Sequence, residues 1–436
     1  MTASGARWHN WGRSESIVPA RVERPATAGA IQRAVVAASR SGMRIKAVGA
    51  GHSFSGIAVA PGVQLDLAFS GLLHVDESTH RVRLAAGTRL YELPGLLRPY
   101  GLALPNLGDV DRQTIAGATS TGTHGTGSRF GGLAGQIVAL TLVTGDGTVL
   151  SISESENADL FPAARLGLGA LGIIVDLTIQ CVPAFLLRAV ETAEPFDAVL
   201  DAFPRRSIDA DHFEFYWFPH TDTALTKTNT RLPLDAGRMP LGRMKRWVDD
   251  ELLANGLYRA TCAAGAILPT VVPTVNRLAD KLTGHREFTD HSHRVFCTNR
   301  GVRFRESEFA VPLDQVPDAL REVRALIEKR GWRISFPLEV RSAAADDIWL
   351  STGFGRPTGY IAVHRYFRED PKEYFTAVGA IMRAHAGRPH WGKMHDLTQD
   401  ELRQVYPHFD DFLAVRDRLD PERRFSNRYL ERVLGR

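Results

Sequence analysis

The sequence predicts an α+β fold built from two kinds of domain. Short apolar strands such as Arg44–Val48 and Arg81–Ala86 alternate with helical segments in the first part of the chain, which indicates a small α/β unit. After Pro183 the strands alternate between apolar and polar residues, as in His212–Phe218, and this is typical of an antiparallel sheet. Since 436 residues are many for a single hydrophobic core, two domains are expected.

One helix of the first part has clear end signals. Ile31, Val35 and Ala38 recur at helical spacing. Thr27 before them suits an N-cap, and Gly42 after them ends the helix. Further elements expected here are a strand at Val63–Leu67, a helix at Leu90–Tyr100 that starts or kinks at Pro94, a hairpin of Ile137–Thr144 with Thr148–Ile152, and a strand at Ile173–Ile179.

The second part is predicted to be a sheet with helices on one face. In His212–Phe218 the side chains of Phe213, Phe215 and Trp217 share one face, so this strand is expected to be covered on that side only. Residues 231–300 carry basic helical segments without a clear arrangement. The other elements expected are strands at Arg303–Val311, Phe336–Arg341 and Tyr360–Phe367 and helices at Val316–Arg330 and Pro371–Ala386.

Composition excludes several classes of protein. The chain holds 53 basic and 49 acidic residues, a net charge of +4, without a concentrated basic stripe, so a nucleic-acid partner is not expected. It lacks an apolar N-terminal core and any run near the roughly 18 apolar residues of a membrane span. Its three cysteines, at 181, 262 and 297, are odd in number and far apart, which favours a reducing compartment. We therefore expect a cytoplasmic protein.

The segment Ala47–Phe54 is the first candidate site. Gly49 and Gly51 follow a predicted strand and lack a Cβ, so the backbone there can turn sharply and approach a ligand. Amides in such a turn form a concave anion site suited to a pyrophosphate. His52 follows directly and brings an imidazole capable of nucleophilic and proton-transfer chemistry. We predict that this loop holds a phosphate-bearing cofactor and that His52 touches its reactive part.

A second glycine-rich stretch runs from Gly117 to Gly135. It holds seven glycines, mixed with Thr and Ser and almost without charge, and a flexible linker has a similar composition. Structured-looking segments flank the stretch and it contains His124, so a second ligand loop is the favoured interpretation. Its hydroxyls and amides suit phosphate and ribose.

Two alternative sites are disfavoured. A nicotinamide-binding Rossmann fold needs a third glycine where Phe54 stands, and no amphipathic helix follows. No metal site is expected either, because HExxH is absent and His390 and His395 are five positions apart. That spacing does not align two ligands on one helix face.

Three charged residues of the second part are further candidates. Glu339 and Arg341 are two apart on a predicted strand and so share one face of the sheet. A solvated ion pair is the ordinary interpretation, but the neighbours Phe336–Leu338 and Val340 are apolar, which makes a solvent-exposed pair less natural. Lys393 follows His390-Trp-Gly, and by itself it is more often an ordinary lysine than a catalytic one.

Together these segments resemble the aldonolactone oxidoreductase branch of the vanillyl-alcohol oxidase-type flavoproteins, whose FAD-binding domain is of the PCMH type. The likeness spans nearly the whole chain and is weakest in residues 231–300. Within the branch it points to the gulonolactone dehydrogenases and oxidases, the arabinonolactone oxidases and the alditol oxidases. Five motifs carry it: Val48–Phe54, Ala116–Gly125, Leu168–Ile173, Glu339–Arg341 and His390–Lys393.

The resemblance implies FAD bound covalently through His52 in a PCMH-type domain at residues 1–184. It implies a cap domain for the substrate, an antiparallel sheet with flanking helices, at residues 185–385. A C-terminal segment at 386–436 would return to the flavin. The cofactor-binding residues that it carries over are Val48, Gly49, Ala50, Gly51, His52, Ser53, Phe54, Thr114, Gly117, Thr121, Gly122, Thr123, His124 and Ile174.

The implied reaction is hydride transfer from a carbinol carbon to flavin N5, with an aldono-1,4-lactone as substrate. Lys393 or Arg341 would stabilise the negative charge that develops on the flavin. Glu339 would bind a substrate hydroxyl and hold Arg341 in place. Asp109 and Thr358 are further substrate-binding residues by the same resemblance.

Electrons would then pass to oxygen or another acceptor. Gly108 stands where the family gates oxygen, and without a side chain it is predicted to be permissive. An alditol oxidase acting on xylitol- or sorbitol-type polyols is the nearest alternative function. A non-enzymatic flavin- or nucleotide-binding protein is a further alternative, but it has no use for the convergence of Glu339, Arg341 and Lys393.

Overall fold

A three-stranded parallel sheet lies near the N-terminus of the computed structural model, which describes residues 6–242, 258–282, 284–298 and 301–436. Its strands lie in the order Arg21–Glu23, Val63–Asp66 and Ile45–Val48. The helix predicted after Thr27 is confirmed as Ala28–Arg40. The Thr27 hydroxyl accepts a hydrogen bond from the Ala30 amide at 3.2 Å, which stabilises the first turn.

A five-stranded antiparallel sheet completes the N-terminal part. Its strands lie in the order Val149–Ser153, Ile137–Val143, Ile173–Gln180, Arg81–Ala85 and Leu72–Asp76. The predicted hairpin is confirmed, since Val143 pairs with Val149 across its turn. The helix predicted around Leu90–Tyr100 is confirmed in part, because the α-helix covers only Leu93–Leu97 between two 3₁₀ turns, and Pro94 lies in its first turn as predicted. Pro99 has no N–H with which to continue the helical hydrogen bonds.

An eight-stranded antiparallel sheet dominates the second part of the chain. Its strands lie in the order Arg286–His291, Leu186–Pro195, Thr223–Leu232, His212–Trp217, Leu338–Ala343, Thr358–Tyr366, Phe304–Pro312 and Arg388–Pro389. The stretch 231–300, which the sequence left without an arrangement, supplies one edge strand of this sheet. Its described residues also form the helices Tyr258–Ile267 and Val272–Leu282.

Helices cover one face of this sheet. They are Phe196–Asp209, Val316–Arg330 and Lys372–Ala384. Phe203 packs on Phe213 and Phe215, with ring centres 5.9 and 5.4 Å apart. The sequence pattern predicts that the opposite face is open, and this is wrong. Glu214 on that face is only 5% exposed, because the N-terminal part of the chain packs over it.

Two main-chain contacts fix the N-terminal part on that opposite face. In the second glycine-rich stretch, the Gly127 amide donates to the Ser342 carbonyl at 2.8 Å. Beyond the edge strand Arg388–Pro389, the Gly392 carbonyl accepts a hydrogen bond from the Phe54 amide at 2.6 Å. Both glycine-rich loops therefore meet the polar face of the sheet.

The remaining elements are short. They are the strand pairs Trp8–His9 with Ser16–Ile17 and Leu102–Ala103 with Val182–Pro183, and the helices Ile115–Ser120, Phe161–Ala164, Ser292–Phe296, Gln399–Val405, Phe409–Leu419 and Arg428–Leu434. Among the helices of the described ranges, none has the length and apolar character that crossing a membrane requires.

Candidate active site

The first glycine-rich loop touches the second through Gly49. A Cβ at position 49 would lie 2.5 Å from Oγ1 of Thr114, so a larger residue there would push the two loops apart. Gly51 has a φ of +70°, a left-handed conformation that glycine adopts without strain. The strand that ends at Val48 is thus followed by the sharp turn that the sequence predicts.

The same turn presents amides that suit an anion. Within the described ranges, no protein group accepts a hydrogen bond from the amides of His52 and Ser53. The next two amides, of Phe54 and Ser55, both donate to the Gly392 carbonyl. Adjacent unbonded amides in a turn form an anion-binding concavity, so the loop fits a pyrophosphate group.

The hydroxyl groups of the second loop shape the loop itself. Thr114 caps a short helix by accepting the Gly117 amide at 3.2 Å, and the Thr121 hydroxyl donates to the Gly117 carbonyl at 3.0 Å. The Thr123 hydroxyl accepts a hydrogen bond from Nε2 of Gln113 at 3.0 Å. Cofactor contacts of these three hydroxyls stay predictions, and their protein contacts give them a structural role as well.

His52 is held as a neutral imidazole. Burial lowers its pKa to about 4, and the charges of Lys393, Arg89 and Arg112 act in the same direction. The ring stacks on the indole of Trp11, with ring centres 5.6 Å apart and planes 23° apart. Around neutral pH the imidazole therefore keeps an unprotonated nitrogen, which nucleophilic attachment requires.

Polar side chains line the face of the eight-stranded sheet that meets these loops, here named the charged face. Glu339 and Arg341 share it, as predicted, and Glu339 is paired across strands with Tyr216 and Ala362. Ala362 is in turn paired with Glu308. The small side chain of Ala362 leaves space between the carboxylates of Glu308 and Glu339. The polar members of the charged face are Glu214, Tyr216, Lys227, Glu306, Glu308, Glu339, Arg341, Tyr360 and His364.

Arg341 is the centre of one buried ion cluster. Its Nε donates to Oε2 of Glu214 at 2.9 Å, and its Nη2 pairs with Glu339 and lies 3.8 Å from Oδ1 of Asp109. Burial would lower the pKa of the guanidinium, but the three carboxylates outweigh it and raise the pKa well above its ordinary value. Lys227 lies 3.4 Å from the other oxygen of Glu214. The guanidinium is therefore charged and fixed in one direction.

Lys393 is the centre of a second ion cluster, where the charged face meets the first loop. Its Nζ lies 2.5 Å from Oε2 of Glu306, 4.0 Å from Oε2 of Glu308 and 5.3 Å from the ring centre of Phe54. Burial would lower the pKa of Lys393, but the two carboxylates outweigh it and raise the pKa. Burial likewise opposes ionisation of Glu306, yet Lys393 and His364 bring the pKa of Glu306 down to about 2. A charged ammonium is thus held against the first glycine-rich loop.

His124 forms a further buried pair with Glu308. Its Nδ1 lies 2.9 Å from the Gly125 carbonyl oxygen, and its Nε2 lies 3.2 Å from Oε1 of Glu308. The ring also stacks on Tyr360, with the ring centres 3.5 Å apart. The Glu308 carboxylate, the Gly125 carbonyl and the Tyr360 ring therefore fix the orientation of the His124 side chain.

The contacts of Glu308 and the neighbouring histidines are satisfied within the protein, without a metal ion. His124, Glu308 and His390 bring possible ligand atoms within 4.8 Å of one another, a group that spacing along the sequence does not reveal. Glu308, however, already bonds His124 and faces the Lys393 ammonium at 4.0 Å, and that ammonium would repel a metal cation. Nδ1 of His390 accepts a hydrogen bond from the Gly392 amide at 3.0 Å. The absence of a metal site stays a prediction.

Comparison with known proteins identifies the family. The family model for D-arabinono-1,4-lactone oxidase matches residues 177–433, and the one for an FAD binding domain matches residues 19–153. The chain belongs to the D-arabinono-1,4-lactone oxidase family. Its FAD binding domain contains both glycine-rich loops, and the resemblance drawn from the five motifs is confirmed.

Relatives match nearly the whole length of this family member. The L-gulono-1,4-lactone dehydrogenase of Mycobacterium tuberculosis is 42% identical, over 98% of this chain and 99% of its own. The L-gulonolactone oxidase of Bos taurus is 35% identical and the alditol oxidase of a Streptomyces strain 31% identical, each over 98% of both chains. A cholesterol oxidase from B. sterolicum shares the fold, with a TM-score of 0.86 at 16% identity over 99% of this chain and 97% of that chain. The PCMH-type flavoenzyme fold predicted from the motifs is thus confirmed.

Three other predicted site residues of this D-arabinono-1,4-lactone oxidase family member are not themselves members of the two ion clusters. Thr358 is on the charged side of its strand, two positions before Tyr360, but it is fully buried and its hydroxyl donates to a neighbouring main-chain carbonyl at 3.2 Å. Ile174 is buried in the five-stranded sheet. Gly108 lies beside the second loop, where an added Cβ would come within 3.0 Å of the His124 carbonyl oxygen.

Sequence reasoning missed the carboxylates that fix the two cations. Glu214, Glu306 and Glu308 lie in strands that the alternating pattern identified, but they were not recognised as site residues. A signal for two of them exists, because Glu306 and Glu308 are two apart in a strand that continues into apolar residues. That is the pattern that singled out Glu339 and Arg341, and it predicts a second charged pair on the same kind of buried face.

Proposed function

We propose that this protein oxidises a carbinol group of an aldono-1,4-lactone of the L-gulono-1,4-lactone type, using FAD tethered through His52. Support comes from the names of relatives that match nearly the whole chain, above all an L-gulono-1,4-lactone dehydrogenase at 42% identity. It also comes from the matched FAD binding domain and from the neutral, partly buried imidazole of His52 in a turn that fits a pyrophosphate.

The observation that carries the proposal is the pair of charged, carboxylate-bound cations opposite the cofactor loops. FAD, when bound, supplies the acceptor for the hydride that leaves the carbinol carbon. Lys393 and Arg341 hold positive charge at fixed positions where negative charge develops during that transfer. Fixed charges in a site with little water stabilise a transition state without reorganising.

Substrate binding is assigned to the groups around Arg341. Glu339 accepts a hydrogen bond from the Tyr216 hydroxyl at 3.2 Å while it pairs with Arg341, so its carboxylate is oriented toward one substrate hydroxyl. Asp109, Lys393 and Thr358 complete the proposed substrate set. A neutral, hydroxylated lactone suits such an array of donors and acceptors, because each of its hydroxyls can both give and accept a hydrogen bond.

The FAD is assigned to both loops. Residues 48–54 and the set Thr114, Gly117, Thr121, Gly122, Thr123 and His124 would hold it, with Ile174 near the adenine. We further propose the division into an FAD-binding domain at 1–184, a cap domain at 185–385 and a returning segment at 386–436. Free thiols at Cys181, Cys262 and Cys297 support a cytoplasmic location.

The test is anaerobic mixing of purified protein with L-gulono-1,4-lactone, related lactones and polyols while flavin absorbance is followed. Bleaching by the lactones supports the proposal. An alditol oxidase is the second candidate, favoured by the 31% identical relative of that name, and it predicts bleaching by xylitol or sorbitol instead. If no lactone or polyol reduces the flavin, both candidate activities are contradicted. A non-enzymatic flavin-binding protein is then the remaining interpretation.

A further inference from the structure

A cleft of about 560 Å³ opens beside the N-terminal segment, outside the two ion clusters. Arg13, Arg303 and Arg368 line it together with Phe367. Its volume is in the range of small-molecule sites, roughly 300–1,000 Å³. None of the residues assigned above to FAD or to the substrate is among those that line it, so the cleft is a separate feature of the described structure.

The cleft carries unbalanced positive charge. Within the described ranges, Arg13, Arg303 and Arg368 make no ion pair with a carboxylate. Glu15 is the carboxylate among the lining residues. Burial raises its pKa, and two arginines of the helix Arg428–Leu434 oppose that shift and offset its charge. Three guanidinium groups thus remain for an anion.

The arginines are held in place. The guanidinium carbons of Arg303 and Arg368 lie 5.4 and 5.3 Å from the ring centre of Phe367, which makes the aromatic ring a common support for two charges. Arg13 has a φ of +55°, a left-handed conformation that is strained for a residue with a side chain, and Arg305 holds its carbonyl at 3.2 Å. Backbone strain of this kind is found at ligand-binding sites.

Two contacts join the cleft to the first cofactor loop. The guanidinium carbon of Arg303 lies 6.0 Å from the ring centre of Trp11. The Trp11 indole in turn stacks on His52 at 5.6 Å. The wall of the cleft is therefore separated from the proposed flavin tether by a single aromatic side chain.

We propose that this cleft binds a small anionic one-electron acceptor that takes electrons from the protein at the His52 side. The proposal rests on the proposed function, since the electrons come from FAD held at His52. Oxidation of a carbinol to a carbonyl releases two electrons and two protons. Two acceptor molecules take one electron each in succession, and both protons pass to water.

The experiment uses holoenzyme reduced by light and a chemical donor, so that no sugar substrate is needed. Reoxidation is followed by stopped flow with hexacyanoferrate(III), an anionic probe, and with a cationic ferrocenium derivative. The variants are Arg303→Gln and Arg368→Gln, made singly and together. The control is Arg98→Gln, which removes from an exposed arginine outside the cleft the one charge that each single variant removes. Binding of hexacyanoferrate(II) is measured independently by calorimetry.

The double variant should lower the second-order rate constant with hexacyanoferrate(III) by roughly tenfold or more, the scale of electrostatic steering. It should weaken hexacyanoferrate(II) binding and leave the rate with the cationic probe unchanged or higher. Arg98→Gln should behave as wild type. Equal losses with both probes, an equal effect of Arg98→Gln, or unchanged anion kinetics would each overturn the proposal. Failure of lactones to reduce the flavin would instead contradict the proposed function, because the reoxidation assay contains no lactone.

Discussion

Nζ of Lys393 lies 2.5 Å from Oε2 of Glu306. Glu306 belongs to the strand Phe304–Pro312, whereas Lys393 follows Gly392, whose carbonyl accepts hydrogen bonds from the first cofactor loop. The eight-stranded sheet thus supplies the anion that keeps a cation charged beside the first glycine-rich loop. If Lys393 acts in the proposed reaction, Glu306 is a positioning residue that acts through it.

In the Glu306→Gln variant, the rate of flavin reduction should begin to fall at a lower pH than in wild type. Without this carboxylate, only Glu308 and Asp109 oppose the effect of burial on the pKa of Lys393. The pKa therefore falls, and the charged form of Lys393 is lost at lower pH as the pH rises. The rate of flavin reduction by substrate should then decline on the alkaline side, and this decline should begin at lower pH than in wild type. Anaerobic stopped-flow rates across the neutral and alkaline range measure the shift.

The matched control for this variant is Glu308→Gln. The Glu308 carboxylate lies 4.0 Å from Nζ of Lys393, farther than the Glu306 carboxylate. The pH at which the rate of flavin reduction begins to decline should therefore shift less in Glu308→Gln than in Glu306→Gln. A rate profile of Glu306→Gln that keeps the wild-type shape would show that Glu306 does not set the charge of Lys393.

Arg341→Ala should slow flavin reduction strongly while the flavin stays bound. The loss of one fixed charge-stabilising group costs about 10²–10³ in rate in comparable sites. The change also leaves Glu214, Glu339 and Asp109 without their shared guanidinium, so the variant should unfold more easily, by about 3–5 kcal/mol.

Arg341→Lys is the control that separates these effects. Lysine keeps the positive charge but lacks the planar guanidinium that bonds two carboxylates at once. Relative to Arg341→Ala, the free energy of unfolding should therefore recover more than the rate of flavin reduction. Flavin content, single-turnover rate and thermal unfolding of each variant provide the readouts. Unchanged turnover in Arg341→Ala would refute a role for this residue in the reaction, and the same holds for Lys393→Ala.

Elements with a complete local signal were predicted well. The helix Val316–Arg330 has the predicted bounds because Val316, Leu320, Val323 and Ile327 form one buried stripe and Gly331 ends it in a left-handed conformation. The shared face of Glu339 and Arg341 followed from the two-residue period of a strand. Neither inference needed knowledge of the neighbouring elements.

The rest of the site depends on topology, which the local pattern does not contain. Arg341 bonds Glu214 only because the strands His212–Trp217 and Leu338–Ala343 are neighbours in the sheet. His124 likewise reaches Glu308 across the boundary between the N-terminal part and the sheet. Such pairings between distant strands and loops are fixed by burial of the whole face, so the sequence indicated which residues are polar but not which of them meet.

His52→Ala should abolish the covalent flavin. On a denaturing gel, the fluorescent flavin band of wild type should be absent, whereas His74→Ala, an exposed histidine outside the loop, should keep it. A fluorescent band that persists in His52→Ala would place the attachment at another residue.

Covalent attachment through His52 should also tolerate acid. An ordinary histidine is protonated below about pH 6.5, but the half-buried imidazole of His52, with a pKa of about 4, remains unprotonated as the pH falls toward that value. Reconstitution of the apoprotein with FAD at decreasing pH should therefore give undiminished covalent product until the pH nears this pKa. A loss of product already at the ordinary histidine pKa would contradict the lowered pKa of His52.

Gly108→Ala tests whether the missing side chain admits oxygen. If the glycine is permissive, the methyl group should slow reoxidation of the reduced flavin in air, and about tenfold corresponds to roughly 1.4 kcal/mol of added barrier. The added Cβ would also come within 3.0 Å of the His124 carbonyl oxygen, so the variant could disturb the second loop. The rate of anaerobic reduction by substrate detects such a disturbance and should stay at the wild-type value.

Gly131→Ala is the matched control, since it lies in the same glycine-rich stretch and its added Cβ would meet no atom within 4 Å. It should leave both reduction and reoxidation unchanged. Equal reoxidation rates for wild type and Gly108→Ala would refute gating at this position. A loss of reduction and reoxidation together would assign Gly108 to the packing of the His124 loop, because a gate for oxygen acts only on the second half of the reaction.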